Sequence, residues 1–291
     1  MFDDDHEPAP LTAPLVRILP FAYEATVSYG KGTARGPAAI IEAAPQVELF
    51  DEELWCEPIR SFRTEIADLA APPSVPHAAL EALAEHVGQA LNDGAFPLTL
   101  GGEHGLTPGA IRPLVERFGE LHIVQIDAHA DLRDGYDGEH YSHAAAMRRC
   151  LDDERVRLHS FGIRNISAEE VSYLEANQER IAIHWARDRA GWDLDAALAP
   201  VKGKPVYITI DVDGFDASLM PATGTPEPGG LFWDDVLAIL RQTARSAQVV
   251  GADIVELAPH PALHACDFAA AKLCYKLLSY CFAPQSEAKT R

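Results

Sequence analysis

LHIVQIDAHAD, residues 121–131, joins a mainly apolar run to a cluster of aspartate and histidine side chains. The run Leu121–Ile126 lacks the polar alternation of a strand with one face in water, so it predicts a strand buried on both faces of a parallel sheet. Two further runs have the same form, since Pro97–Leu100 leads into GGEH and Val206–Ile210 leads into DVD. Ligands bind beyond the carboxyl ends of the strands in such sheets, so the three clusters are candidates for one site.

Outward from these runs, short apolar segments alternate with helical patterns. Further strands are predicted at residues 16–21, 157–162, 181–184 and 249–255. Helices are predicted at residues 77–91, 108–118, 232–247 and 268–280, where apolar side chains recur at helical spacing. This alternation implies right-handed βαβ units and an α/β fold of three layers, a mostly parallel sheet with helices on both faces. We expect a single domain over residues 1–291, with loose termini at about 1–14 and 284–291.

Composition excludes several classes of function. The chain is 47% hydrophobic, yet no apolar run reaches the ~18 residues that a membrane span needs. A net charge of −20 disfavours nucleic acid and anionic membranes as partners, whereas it would attract a cationic substrate. The five cysteines form no CxxC pair, and the acidic N-terminus is followed by no apolar segment, so we expect a cytoplasmic chain with reduced thiols.

The three clusters contain the side chains of a metal site, namely His104, Asp127, His129, Asp131, Asp211 and Asp213. In an extended chain, Asp127, His129 and Asp131 would point the same way, as would Asp211 and Asp213. Four carboxylates so close together would repel one another and have raised pKa values unless cations neutralised them. Two divalent ions would resolve this conflict, and mixed oxygen and imidazole ligation favours manganese-like ions. A lone Asp-x-Asp is typically a solvated turn, so the prediction depends on the conjunction of three strand ends.

The motifs, in this order, resemble those of the ureohydrolase family of arginases and agmatinases. The resemblance covers most of the chain and is carried by GTARGPAAIIEAA at 32–44, GGEH at 101–104, DAHAD at 127–131, YSHAAAMRR at 141–149, FGIR at 161–164, DVDGFDASLMPATGTPEPGG at 211–230 and DIVELAP at 253–259. It implies an arginase-like fold and the hydrolysis of a guanidino compound to urea and an amine. A zinc deacetylase would need one metal, and the complete two-metal ligand set argues against that class.

The resemblance also implies a role for each ligand. One ion would be held by His104, Asp127, Asp131 and Asp211, and the other by Asp127, His129, Asp211 and Asp213. Asp127 and Asp211 would then bridge the two ions, and a hydroxide between the ions would attack the guanidinium carbon.

Further residues would act on the substrate. Glu256, in VELAP, would pair with the guanidinium, because a planar cation with forked donors is best oriented by a carboxylate. His143, in YSH, would contact the substrate and transfer protons, because an amine leaving group needs a proton. The resemblance also implies a catalytic role for Asp131 besides ligation and a substrate contact for Thr225.

Agmatine, cleaved to putrescine and urea, is the predicted substrate. YSHAAAMRR resembles the agmatinase version of this loop, and the Ser/Asn-rich loop by which arginases hold an α-amino acid is absent between Arg133 and Tyr141. Guanidinobutyrate, proclavaminate, guanidine and arginine stay open as alternative substrates, as does a non-catalytic subunit of this fold. PATGTP at 221–226 and the segment 260–267 depart from the agmatinase pattern, and we expect both near the part of the site that selects the substrate tail. A homo-oligomer, a trimer or hexamer, is also implied.

Overall fold

The computed structural model describes residues 9–284, and their strands form one sheet in which every pairing is parallel. The strands are β1 (Leu15–Phe21), β2 (Arg63–Ile66), β3 (Phe96–Gly101), β4 (Leu121–Ile126), β5 (Val156–Ile163), β6 (Ile181–Trp185), β7 (Pro205–Asp211) and β8 (Gln248–Val255). Their order in the sheet is β2-β1-β3-β8-β7-β4-β5-β6. The predicted α/β class and parallel sheet are confirmed.

The predicted strands are all present, each within one residue of its predicted ends. Strand β2 was not predicted, because its sequence, RTEI, contains no apolar run and none of its residues is buried. It pairs only with β1, at the edge of the sheet, where polar side chains remain in contact with water.

The helices are α1 (Gly36–Ala43), α2 (Pro76–Asn92), α3 (Thr107–Phe118), α4 (Ala146–Cys150), α5 (Ala168–Ala176), α6 (Leu194–Ala197), α7 (Trp233–Ser246) and α8 (His264–Phe282). The four predicted helices correspond to α2, α3, α7 and α8. Helix α5 begins with a capping box between Ser167 and Glu170, a signature that would have located it in the sequence. Of the described helices, none is long and apolar enough to cross a membrane.

Two apolar cores lie on opposite faces of the sheet, which confirms the predicted three layers. Val124 and Ile126 of β4 pack with α1, α7 and α8 on one face, whereas Leu121 and Ile123 pack with α2, α3 and α4 on the other. These four side chains have no exposed surface, as expected of a strand between two layers of helices.

The order β3-β8-β7-β4 at the centre of the sheet positions the candidate site. The strands are parallel, so their carboxyl ends meet at one edge and carry His104, Glu256, Asp211 and Asp127 side by side. The chain can turn after β3 only with a glycine, because a Cβ at Gly102 would lie 1.9 Å from the carbonyl oxygen of Tyr23.

The predicted loose termini are only partly described. Residues 1–8 and 285–291 lie outside the described residues, whereas residues 10–13 form a turn in which the Ala13 N–H donates to the Pro10 carbonyl. A single domain with loose ends therefore stays a prediction.

Candidate metal centre

The loops that carry the candidate ligands depart from extended chain at Asp131 and at Val212–Gly214, which forms a short 3-10 helix. Asp131 has a left-handed backbone with φ 53°. The His129 N–H donates to Asp127 Oδ1 at 2.6 Å, and the Asp213 N–H donates to Asp211 Oδ1 at 2.8 Å. Aspartate favours such turns because its side chain bonds the backbone two residues on. Local turns therefore help to direct these side chains toward one another.

The predicted ligands come together in two groups, of which the first surrounds His104. Its Nδ1 lies 2.9 Å from Asp131 Oδ2, 3.1 Å from Asp127 Oδ2 and 3.6 Å from Asp211 Oδ2. All four residues are buried. For His104, Asp127 and Asp131, the ligand atoms lie within 4.8 Å of one another, close enough to share one cation.

The second group surrounds His129. Its Nδ1 lies 3.0 Å from Asp213 Oδ2 and 3.8 Å from Asp127 Oδ1. Asp127 thus directs one carboxylate oxygen to each histidine, the arrangement expected of a bridging ligand. The two groups of side chains, each of which could hold a cation, share Asp127.

Burial and mutual repulsion disfavour the charged form of Asp127 and Asp211, so a cation nearby would stabilise these carboxylates. Burial, assisted by Asp131 and Asp213, raises the pKa of Asp127 to about 7. Burial and the neighbouring carboxylates also raise the pKa of Asp211 well above its ordinary value. Asp213 does not have the raised pKa that was expected of clustered carboxylates. Burial raises the pKa of Asp213, but the nearby His129 outweighs burial and lowers it to about 2. Burial likewise opposes a charge on His129, but Asp213 and Asp127 outweigh it and raise the histidine pKa to about 10.

The orientation of His104 tests whether the group fits a metal. Its Nε2 lies 2.9 Å from Thr209 Oγ1, and the Thr209 hydroxyl donates to Asp253 Oδ1 at 2.6 Å. The Thr209 hydroxyl proton is donated to Asp253, so Thr209 accepts from the Nε2–H, and in the neutral imidazole it is Nδ1 that carries the lone pair. This buried Nδ1 has no hydrogen-bond partner within residues 9–284, although three carboxylates surround it. A lone pair directed into a carboxylate cluster fits a bound cation.

A cavity of ≈ 210 Å³ opens above this group, and its wall contains the predicted substrate residues Glu256, His143 and Thr225. Glu256 is buried, has a left-handed backbone with φ 65°, and its Oε1 accepts the His104 N–H at 2.7 Å. Strained backbone of this kind is typical of functional sites. The Thr225 hydroxyl lies 3.4 Å from Asp213 Oδ2.

The two segments that depart from the agmatinase pattern differ in their relation to this cavity. Gly224 and Thr225 of PATGTP line the wall, whereas residues 260–267, all of them described, contribute nothing to it. The expectation that 260–267 lies near the substrate tail is therefore not supported within one chain, because this segment forms the turn that begins α8.

Comparison with known proteins identifies the family. The model of the arginase family matches residues 15–279. The chain belongs to the arginase family. It is 38% identical to the N(1)-aminopropylagmatine ureohydrolase of Synechocystis sp. over 91% of this chain and 88% of that protein, and 34% identical to the agmatinase of Bacillus subtilis over 80% of each. The agmatine ureohydrolase of Thermoplasma volcanium has the same fold, with a TM-score of 0.80, 29% identity and coverage of 92% of this chain and 90% of that one.

Membership of this family confirms the predicted reaction class. The chain is a ureohydrolase, an enzyme that hydrolyses guanidino C–N bonds. The family implies a binuclear site for divalent ions, which agrees with the two histidine–aspartate groups that share Asp127.

Several residues that support these groups were not found by sequence reasoning. Asp253 also accepts hydrogen bonds from Thr107 Oγ1 and Tyr207 Oη, each at 2.8 Å, and Gln125 Nε2 donates to Asp127 Oδ2 at 2.8 Å. Asp253 and Gln125 are polar residues on strands buried from both sides. A buried polar group needs a partner, so their positions alone would have marked them for attention.

Proposed function

We propose that this ureohydrolase is an agmatinase, which converts agmatine to putrescine and urea. The observation that carries the proposal is the position of Glu256, a buried carboxylate beside the metal groups with one oxygen held by the His104 N–H. Its other oxygen would then be available to pair with a guanidinium. Val27, Tyr136 and Ile166 in the cavity wall offer apolar surface to a butyl chain. The likeness to proteins named agmatinase and agmatine ureohydrolase supports this substrate.

We assign His104, Asp127, Asp131 and Asp211 to one ion and Asp127, His129, Asp211 and Asp213 to the other. The first assignment is supported by the three carboxylate oxygens within 3.6 Å of His104 Nδ1. The second is supported by His129, Asp213 and Asp127. Oxygen and imidazole donors without thiolate favour Mn²⁺. Two such ions, when bound, would supply hydroxide at neutral pH by lowering the pKa of a water between them.

The chain's own residues would then orient the substrate and move protons. Glu256 would hold the guanidinium with its carbon facing the metal groups, and Thr225 would contact the substrate from the same wall. His143 would deliver the proton that the departing amine needs. We assign Asp131 a catalytic role besides ligation, because it lines the cavity with a strained backbone.

N(1)-aminopropylagmatine is a second candidate substrate. A ureohydrolase named for it, from Synechocystis sp., is 38% identical to this chain, more than the Bacillus subtilis agmatinase at 34%. The cavity wall also includes Ser28 and Tyr29, which are exposed and leave room for a longer tail.

Urea release in the presence of Mn²⁺ distinguishes the candidates. Agmatine, N(1)-aminopropylagmatine, arginine, guanidinobutyrate and guanidine are compared at equal enzyme concentration, and agmatine is expected to have the highest kcat/KM. A higher value for N(1)-aminopropylagmatine would select the second candidate, and no urea from any of them would exclude all five compounds as substrates. Glu256→Gln is the control, since it should lower kcat/KM for all five compounds while the metal content stays unchanged.

We also propose a cytoplasmic homo-oligomer, a trimer or hexamer. The described cysteines are all free thiols, which suits a reducing compartment. Phe50 and Trp55 form an exposed aromatic pair with ring centroids 5.3 Å apart, which suits a surface covered by another subunit. A monomer by light scattering at micromolar concentration would contradict the oligomer.

A further inference from the structure

The hydroxyl of Thr26 joins His143 to a buried carboxylate. Thr26 lies in the segment that follows β1, 117 residues before His143. Its Oγ1 donates to Glu103 Oε1 at 2.5 Å, accepts the His143 backbone N–H at 2.9 Å and lies 3.1 Å from His143 Nδ1. Glu103 has no exposed surface.

These contacts determine which partner supplies each proton. Glu103 Oε2 accepts the backbone N–H groups of Ala25 at 2.5 Å and Thr26 at 2.7 Å, so the carboxylate acts as an acceptor and takes the Thr26 hydroxyl proton on its other oxygen. A hydroxyl has one proton and two lone pairs. One lone pair of Thr26 accepts the His143 backbone N–H, and the other can only accept a proton held on Nδ1.

The remaining neighbours of the imidazole ring agree with this assignment. Ser142 Oγ lies farther from Nδ1, at 3.4 Å, and already accepts the Ala144 N–H. The opposite nitrogen, Nε2, has Ser28 Oγ at 3.5 Å, and both residues line the cavity. With Nδ1–H held by Thr26, Nε2 is the nitrogen that can accept or release a proton toward the substrate.

We propose that Thr26, oriented by Glu103, is a positioning residue that holds His143 in the form protonated at Nδ1 and presents Nε2 to the leaving amine. As the guanidino C–N bond breaks, its electron pair goes to nitrogen and the proton on Nε2 of the imidazolium is transferred there. The ring returns to its neutral form with Nδ1–H still bonded to Thr26. This inference rests on the proposed proton-transfer role of His143.

Substitution of Thr26 tests the role of its hydroxyl. Thr26→Val should lower kcat for agmatine roughly 10- to 100-fold, with KM and metal content near those of the parent enzyme, because one oriented hydrogen bond to the imidazolium is lost. Thr26→Ser should restore most of kcat, since it keeps the hydroxyl. Thr243→Val is the matched control and should have the parent kcat, because its buried hydroxyl donates only to Ile239 within α7. Thr26→Ala replaces Thr26→Val if the valine variant does not fold.

A double-mutant cycle separates positioning from a merely structural effect. In the His143→Ala background, Thr26→Val should cause no further loss of kcat, since its partner is already absent. An equal loss in both backgrounds, a rise in KM alone, or failure of Thr26→Ser to restore kcat would overturn the inference. Unchanged kcat in His143→Ala would instead refute the proposed role of His143. A slow His143→Ala with a fully active Thr26→Val would refute only the role of Thr26.

Discussion

Replacing Thr209 by valine should weaken one of the two metal positions and leave the other intact. The substitution keeps the shape of the side chain but removes the acceptor of the His104 Nε2–H, at 2.9 Å, and the donor to Asp253, at 2.6 Å. His104 would then lose the contact that turns Nδ1 toward the carboxylates. Loss of a partner that orients a metal-binding histidine typically costs about 10- to 100-fold in metal affinity, roughly 1.4 to 2.7 kcal/mol.

The loss should be confined to the ion bound by His104. His129, which we assign to the second position, has contacts with Asp213 and Asp127 that do not involve Thr209. Titration calorimetry of metal-stripped protein with Mn²⁺ at constant pH should therefore resolve one weakened and one unchanged binding step. Thr209→Ser should bind both ions as the parent does, because it keeps the hydroxyl.

Thr223→Val is a second control, because the buried Thr223 hydroxyl has no hydrogen-bond partner within the described part of the chain. Equal weakening of both steps, or the same loss in Thr223→Val, would show that Thr209 does not act through His104. Unchanged affinity in a folded Thr209→Val protein would refute the reasoning outright.

Further predictions concern the proton donor, the bridging ligand, the surface charge and acid stability. His143→Ala should keep its metal, but its kcat should fall roughly 10²–10⁴-fold and be partly restored by added imidazole. A kcat near that of the parent enzyme in steady-state assays would exclude His143 from the mechanism. Asp211→Ala should retain less metal by elemental analysis than Asp213→Ala, since only the former is assigned to both ions, and equal contents would count against the bridge. The net charge of −20 should make kcat/KM for agmatine fall as salt is added, and a value independent of ionic strength would exclude steering. Burial, together with His122 and His184, lowers the pKa of His159 in the folded protein to about 4. In the unfolded chain the pKa of this histidine is about 6.5, so as the pH falls the unfolded chain takes up the proton before the folded protein does. The free energy of unfolding measured in urea should then fall by about 3 kcal/mol between pH 6.5 and pH 4 on account of this group, and His159→Gln should show a smaller fall.

Local sequence predicted more of the strands than of the helices. A strand buried on both faces must be apolar along its length, so runs such as Leu121–Ile126 stand out from their surroundings. Short helices carry a weaker signal, since α4 and α6 span too few turns for helical spacing to be visible. The edge strand β2 needs no apolar run at all.

By itself, the sequence determined the class of the fold, the family and the chemical types of the metal ligands, because these depend on residue identity and on spacing along the chain. Only the tertiary structure decided how the ligands meet. Strand β8 lies between β3 and β7 through pairings between distant segments, and this order puts Glu256 beside His104. Left-handed turns help to direct Asp131 and Glu256 into the cavity. The contact of Thr26 with His143 spans 117 residues and depends on packing that no local pattern encodes.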